Sequence, residues 1–270
     1  MKKVNEKDMR NILVFAGCLI FIVVCAFLYR WRFSRDYYIV DSRVKNIATT
    51  EKVEDYNTVG WLKVQGTNID YPVVTSDDNA NPYPVDPAGY SWVIKRDAKY
   101  DDVVNINGHN IFNLSSKPEI TSKDFTRFEE LMAFVYYDFS RENKYIQYTH
   151  NGKDYVYKIF AVDFVPVTDM NLFLIDEGKY AKNSIKKQLN FYKNHSLYDY
   201  DVDVSENDKI VSLTTCTRFF GEDNKYDFVV SGRLLRNDES MDDYNVVKNN
   251  DNYNKIEKIM KGDEINEEDI

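Results

Sequence analysis

The stretch Val211-Ser-Leu-Thr-Thr-Cys-Thr-Arg218 ends a segment rich in β-branched residues and contains one of the three cysteines of this 270-residue chain. β-branched residues favour extended structure, so we predict a strand that finishes at Cys216. The other two cysteines, Cys18 and Cys25, lie inside an apolar run near the N-terminus. A lone thiol in an oxidising compartment tends to be oxidised unless it takes part in chemistry. The alternative is a buried cysteine that acts as a small hydrophobic residue.

The apolar run covers residues 12–29 without a charge, and its 18 residues are enough to cross the core of a bilayer as a helix. Four basic residues precede it and three follow closely, which slightly favours a cytoplasmic segment over residues 1–11. A cleaved signal peptide is the alternative. The bulky, basic sequence after the run offers no small-x-small cleavage site. We therefore predict an uncleaved signal-anchor, with the remainder of the chain outside the cell.

Residues 30–56 mix charges with apolar residues at helical spacing, which predicts a juxtamembrane helical segment. Beyond them the period changes to alternation, and short strand-like runs separated by turns continue as far as residue 236. This pattern predicts one antiparallel β-barrel or sandwich over residues 57–236, with helices in its connections at 124–132 and 179–194. The predicted strands are residues 61–65, 69–74, 90–94, 103–106, 133–137, 144–149, 155–165, 209–213 and 228–235.

The tail, residues 237–270, carries eleven acidic residues against four lysines, and so most of the net charge of −9. It is rich in asparagine and poor in apolar residues, which predicts a largely disordered segment with at most a turn or two of helix. A docking tail for a basic partner is the alternative. The acidic balance and the absence of a basic stripe in the sequence argue against nucleic-acid binding.

A thiol is a useful nucleophile only as a thiolate, which requires a nearby base or cation. The chain has three histidines. His109, in Asn105-Ile-Asn-Gly-His-Asn-Ile, follows a predicted strand and is the best candidate base; Gly108 before it would let the backbone turn tightly. His150 lies in a hairpin turn and His195 at a helix end, where structural roles suffice.

Acyl transfer also needs a donor where an oxyanion develops. Arg218 follows Cys216 by two residues and would project from the same face of an extended strand. Arg233, on the next predicted strand, is the alternative. Either arginine would satisfy the chemistry if it reached the thiol.

Three motifs resemble those of a known family. Ser212-Leu-Thr-Thr-Cys216 resembles the sortase signature Thr-Leu-x-Thr-Cys, with serine in place of the first threonine. Gly108-His109-Asn110 resembles the histidine motif of sortases. The segment 58–74 resembles the opening strands of class B sortases. Together with the anchor, the helices that follow it and the helix predicted at 179–194, this resemblance covers roughly residues 36 to 236.

The resemblance implies a mainly β fold: a sortase-type eight-stranded β-barrel with N-terminal helices and a helix inserted before the cysteine strand. It implies an enzyme on the outer face of a Gram-positive membrane, with no cofactor and no metal. The activity implied is cysteine transpeptidation. The enzyme would cleave a C-terminal sorting motif of an exported protein after a threonine, then pass the acyl group from a thioester on Cys216 to an amine of a peptidoglycan precursor or a pilin lysine.

The resemblance also implies residue roles. His109 would act as general acid for the leaving amine and as general base for the incoming one. An arginine would bind the substrate carbonyl or the oxyanion, and Thr215 would help to shape the oxyanion site. No nucleic-acid partner is implied.

One position departs from the family. Class B sortases usually place an arginine just before the final strand, where this chain has Asp227, which cannot donate hydrogen bonds to an oxyanion. Strands rise ~3.3 Å per residue, so Arg233 would lie ~20 Å from that position, which favours Arg218. The alternative function is a catalytically weak or dead sortase-like extracellular binding module. Another cell-wall cysteine acyltransferase, such as an L,D-transpeptidase, is disfavoured because its Ser-x-Gly-Cys motif is absent from the sequence.

Overall fold

A closed barrel of eight strands forms the centre of the computed structural model of this chain. The structure describes residues 7, 9–11, 13–28, 57–75, 94–96, 103–110, 113–120, 128–150, 153–169, 181–221, 225–242 and 244–263. The described helices are α1 (Met9–Leu28), a 3₁₀ helix (Glu129–Val135), α2 (Tyr137–Glu142), α3 (Ala181–His195) and α4 (Asn250–Lys261). The described strands are β1 (Asn57–Val64), β2 (Asp70–Thr75), β3 (Ile94–Arg96), β4 (Val103–Asn107), β5 (Tyr145–His150), β6 (Lys153–Pro166), β7 (Tyr198–Tyr200), β8 (Ile210–Cys216), β9 (Tyr226–Leu234) and β10 (Val246–Lys248).

The strands follow the order β1-β2-β3-β4-β8-β9-β6-β5, and β5 pairs with β1 to close the barrel. The prediction of an eight-stranded β-barrel is thus confirmed, and α3 precedes the cysteine strand as expected. The expectation of purely antiparallel pairing is wrong at two places, because β2 with β3 and β4 with β8 run parallel. Alternation of residue types does not encode strand direction, which depends on the long connections that parallel pairs require.

Alternating residues of the barrel wall face two different layers. Val211 and Leu213 of β8 belong to the interior cluster, whereas Ile210 packs outside with Val229 of β9. Helix α3 covers this outer cluster, to which it contributes Leu189 and Tyr192. The amphipathic pattern that predicted a helix over 179–194 therefore reflects one real apolar face on the outside of the barrel.

The strand predicted at 133–137 is wrong. These residues belong to the 3₁₀ helix and to the beginning of α2, so the helix predicted at 124–132 was placed too early; residues 124–127 lie outside the described part. All seven residues of the 3₁₀ helix are buried. A short apolar run that is buried on every side has no periodicity to distinguish a helix from a strand.

The acidic tail is ordered where the structure describes it, so the prediction of a largely disordered tail is wrong for residues 244–263. Helix α4 runs for 12 residues and ends at Gly262, whose φ of 90° is left-handed. Tyr253 and Ile256, 5% and 4% exposed, belong to the main hydrophobic cluster. The Asn252 amide donates to backbone carbonyls at the end of α3, and β10 pairs with β7. Few apolar residues suffice here because helical spacing puts them on one face.

Helix α1 coincides with the predicted anchor run: it has a mean hydropathy of 2.8 over its apolar window, and its described residues are all exposed. The helical segment predicted at 30–56 and residues 90–93 of the strand predicted at 90–94 lie outside the described residues.

Replacing Ile256 by alanine tests whether α4 is an integral part of the fold. We expect Ile256→Ala to lower the free energy of unfolding by about 2–5 kcal/mol, because it leaves a cavity in the core. The neighbouring exposed Lys255→Ala should change it by no more than about 0.5 kcal/mol. Urea unfolding followed by tryptophan fluorescence measures both. Equal stability of the two variants would mean that α4 contributes nothing to the core.

Candidate active site

The ends of β4 and β8 bring the predicted nucleophile and the predicted base to the same edge of the barrel. The two strands run parallel in a register that pairs Asn107 with Thr214, and the Gly108 amide donates to the Thr214 carbonyl over 3.1 Å. Two residues further along each strand stand His109 and Cys216. Because side chains alternate along β8, Cys216 projects from the outer face of the barrel, opposite to the interior that Leu213 faces. His109 lies just past the end of β4, next to this edge, and is exposed.

Asn110 joins the two strand ends. The Cys216 Sγ lies 3.6 Å from the Asn110 carbonyl oxygen, and the Asn110 Nδ2 donates to the Cys216 carbonyl over 3.1 Å. Asn110 is 2% exposed and is itself held by Asn113, whose backbone amide donates to Asn110 Oδ1 over 3.1 Å. The sequence includes this residue in the histidine motif but assigns no role to it. Its amide fixes the position of the cysteine relative to the histidine turn.

His109 lies on the exposed side of this turn, and its backbone carbonyl accepts a hydrogen bond of 3.0 Å from the Phe128 amide. Gly108 does not adopt a left-handed φ, and close packing is what requires a glycine at this position. A Cβ at Gly108 would lie 2.3 Å from Phe128 Cγ. Glycine is required here because the buried Phe128 ring packs directly against the backbone that presents the imidazole.

Thr215 is buried and links the ends of β4 and β8 from the interior side of the barrel. Its hydroxyl donates to the Gly108 carbonyl over 2.8 Å. Alternation directs this side chain into the barrel, away from the face of Cys216. The hydroxyl thus holds the histidine strand in place, and the role of Thr215 in shaping the oxyanion site stays a prediction.

Burial raises the pKa of the Cys216 thiol above its ordinary value. The negative charge of Asp227 raises this pKa further, whereas a hydrogen bond with the Asn110 backbone and the charge of Arg218 lower it. The net result is a thiol that remains protonated at neutral pH. A nucleophilic role therefore requires a base to remove its proton.

The two candidate arginines have different environments. Arg218 is exposed just past β8, and its backbone amide donates to the Leu114 carbonyl over 3.0 Å. Arg233 pairs in register with Ile210, at the far end of β8 from Cys216. Its side chain is 1% exposed and forms a bidentate ion pair with Glu239, in which Nη2 donates to Oε1 over 2.8 Å and Nη1 donates to Oε2. The alternative assignment of Arg233 to the site is therefore wrong, since this arginine is structural.

Among the residues that the structure describes, no group of three or more histidine, cysteine or acidic side chains is arranged to hold a metal ion. His195 stacks on Phe191, with ring centroids 4.1 Å apart, and hydrogen-bonds the carbonyl of the same residue. This placement accounts for a structural role of His195.

Replacing Glu239 by glutamine tests the structural role of Arg233. We expect a loss of about 3 kcal/mol in the free energy of unfolding at neutral pH, because the change leaves a buried charge without its partner. Asp238→Asn, at an exposed neighbouring position, should have little effect. Urea unfolding measures both variants.

The same ion pair predicts a pH dependence. The hydrogen bonds from Arg233 lower the pKa of Glu239 from 4.5 to about 2. A folded-state pKa below the unfolded value stabilises the protein above pH 4.5, and this contribution is lost as the pH falls towards 2. Glu239→Gln should therefore lose less stability than the wild type over this interval. Parallel curves for the two proteins would contradict the assignment.

Three comparisons with known proteins show the family of this chain. A sequence model of the sortase domain matches residues 62–235. Sortase B of Listeria monocytogenes is 27% identical over 190 residues, covering 66% of this chain and 69% of the relative. The crystal structure of Clostridium perfringens sortase B superposes with a TM-score of 0.55 at 25% identity, over 72% of this chain and 99% of the other.

A substrate complex of Staphylococcus aureus sortase B shares the fold, with a TM-score of 0.54 at 19% identity over 76% of this chain and 94% of the other. The match of the sortase domain covers more than half of the sequence. The chain therefore belongs to the sortase family, and within it to the class B cysteine transpeptidases.

Proposed function

We propose that this chain is a membrane-anchored sortase that cleaves a C-terminal sorting motif of exported proteins and transfers them to an amine of the cell wall or of a pilin. The observation that carries the proposal is the junction of β4 and β8, where Asn110 joins Cys216 to the turn that presents His109. A thiol and an imidazole at adjacent strand ends are the two groups that acyl transfer requires.

The proposed topology follows the sequence. Residues 1–11 are cytoplasmic, residues 12–29 form the signal-anchor, and residues 30–56 connect it to the extracellular barrel of residues 57–236. The length and hydropathy of α1 support the anchor. The tail of residues 237–270 begins beyond the barrel, and its described helix packs on the same core.

In the proposed acylation step, His109 takes the proton from the Cys216 sulfur, and the thiolate attacks the carbonyl carbon of the sorting motif after its threonine. The protonated imidazole then gives a proton to the leaving amine as the peptide bond breaks. The acyl group remains on the sulfur as a thioester. Asn110 holds the sulfur in place, and Thr215 holds the strand that carries the imidazole.

Arg218 is the proposed cation of the site, because it lies two residues past Cys216, just beyond the end of β8, and its charge favours the thiolate. A guanidinium at this position can donate hydrogen bonds to the oxygen that becomes negative in the tetrahedral intermediate. Its location in the segment after β8, rather than at the start of β9, is what sets this site apart from the usual class B pattern.

The proposed donors are exported proteins with a C-terminal sorting signal, and the proposed acceptors are an amine of a peptidoglycan precursor or a pilin lysine. The substrate complex known for Staphylococcus aureus sortase B supports the first assignment by analogy. A sortase B from the type II pilus of Streptococcus pneumoniae shares the fold, with a TM-score of 0.50 at 22% identity over 66% of this chain and 92% of the other. The proposal therefore includes both a pilin lysine and an amine of the cell wall as acceptors.

Replacing the nucleophile and the base tests this function. Cys216→Ala should abolish cleavage of a fluorogenic peptide that carries the sorting motif of an exported protein from the same genome. His109→Ala should lower kcat by at least about 10²-fold, since general acid–base catalysis contributes that much. Mutation of His195, which stacks on Phe191, is the matched control and should leave kcat unchanged. Full activity of Cys216→Ala would end the proposal.

Comparing Arg218 with a second basic residue, Lys225, tests whether Arg218 is the oxyanion donor. Arg218→Ala should lower kcat by about 10²–10³-fold, the usual effect of removing one oxyanion donor. Lys225→Ala, at an exposed position just before β9, should have little effect. A larger loss with Lys225→Ala than with Arg218→Ala would assign the oxyanion role to the lysine instead.

A catalytically dead binding module is the second candidate, because Asp227 stands directly opposite Cys216 and raises its pKa. Such a module would retain affinity for a sorting peptide in Cys216→Ala and in the wild type alike, without forming a thioacyl intermediate. Mass spectrometry of the wild-type protein mixed with the peptide distinguishes the two functions. An adduct on Cys216 excludes the binding module.

A further inference from the structure

Asp227 is the nearest neighbour of Cys216 across the β8–β9 pair. The register of the two antiparallel strands places them directly opposite each other. Residues opposed in this way have Cβ atoms about 5 Å apart and project from the same face of the sheet. Asp227 is half-buried, and the effect of its charge on the thiol agrees with this proximity.

The remaining neighbours show which side of the barrel this carboxylate faces. Asp227 pairs on its other side with Val165 of β6, a member of the outer cluster that α3 covers. Asp227 and Cys216 thus share the outer face, at the edge of the barrel. Arg218 follows on the cysteine strand, so the reacting sulfur has a cation on one side and an anion on the other.

A carboxylate beside the reacting sulfur cannot donate a hydrogen bond to an oxyanion, and its charge opposes the formation of both thiolate and oxyanion. The participants in the reaction that it attracts are cations. The acceptor of a transpeptidase is a primary amine, which is mostly an ammonium at neutral pH. The acceptor must also approach the thioester within a few ångströms, which is the region that Asp227 faces.

We propose that Asp227 binds the ammonium group of the acceptor amine beside the thioester on Cys216. This inference rests on the proposed function, since it requires a thioacyl enzyme. The bound ammonium loses one proton to water, and the amine nitrogen then attacks the thioester carbonyl. The new C–N bond forms, the C–S bond breaks with its electron pair on sulfur, and a second N–H proton passes through His109 to the sulfur.

The first experiment measures the electrostatic preference of the site without any turnover. Full-length protein in detergent micelles, with Cys18 and Cys25 replaced by serine, is treated with cationic 2-aminoethyl methanethiosulfonate and with neutral methyl methanethiosulfonate. We expect Asp227→Asn to lower the ratio of the two labelling rates at Cys216 about fivefold and Asp227→Arg to lower it further. The ratio removes the effect of the thiol pKa, which acts on both reagents.

Asp227→Glu keeps the charge and should retain most of the ratio, whereas Asp238→Asn, at an exposed position beyond the far end of β9, should not change it. These two variants also separate a charge effect from a folding defect. An unchanged ratio in Asp227→Asn overturns the proposal.

The second experiment assigns the ammonium to the acceptor. With the sorting peptide as donor, glycinamide is the cationic acceptor, and hydroxylamine, which is neutral at pH 7, is the control. Asp227→Asn should lower kcat/KM for glycinamide about tenfold and kcat/KM for hydroxylamine less than twofold, because this quantity reports only the attack on the thioester. An equal effect on both acceptors overturns the proposal.

A loss confined to the rate of acylation by the donor would place the cation in the sorting motif and would likewise overturn the acceptor assignment. These outcomes differ from failure of the proposed function, in which Cys216 forms no thioester with any variant.

Discussion

The parallel pairing of β4 with β8 is the constraint on which the rest of the site depends. Parallel neighbours end at the same edge of a sheet, so this single pair brings the histidine turn and the cysteine together from positions more than a hundred residues apart. Asn110 secures the junction on the side of the thiol and Thr215 on the side of the core. Buried hydrogen bonds of this kind hold their partners in place because leaving either group unpaired would be costly.

The outer face of the barrel carries buried polar side chains as well as apolar ones, and α3 packs over both. The Tyr192 hydroxyl lies 2.9 Å from Ser212 Oγ, which lies 3.0 Å from Ser231 Oγ. Asp163 of β6 is fully buried on this face, and neither of its carboxyl oxygens has a hydrogen-bond partner in the described part of the chain. Burial raises its pKa well above the ordinary value, which favours the neutral form of the carboxyl group. Protonation removes the charge that this layer could not accommodate.

The sequence predicted what depends on local pattern. Alternation located β1, β5, β6 and β9, helical spacing located α3, and the motifs around His109 and Cys216 pointed to the family. The direction of strand pairing could not be predicted, because the sequence of β4 does not determine which strand it pairs with. The order of α4 was missed because average composition hides the few apolar side chains of this helix that pack against the core, among them Tyr253 and Ile256. Asn110 and Gly108 owe their roles to Cys216 and Phe128, which are distant in sequence, so no local signal could assign them.

This chain has Asp227 at the start of β9, where class B sortases usually have an arginine. The carboxylate has opposite effects on the two halves of the reaction. In acylation the carboxylate raises the thiol pKa and so reduces the fraction of thiolate, which leaves Arg218 as the cation that opposes it. In aminolysis the sulfur is uncharged within the thioester, so the same carboxylate no longer disfavours a negative sulfur until the C–S bond breaks. Its attraction for an ammonium then acts without the cost of a thiolate, and its repulsion of the oxyanion affects attack by an amine and attack by water alike. A charge that slows the first step can therefore favour capture of an amine over capture of water in the second.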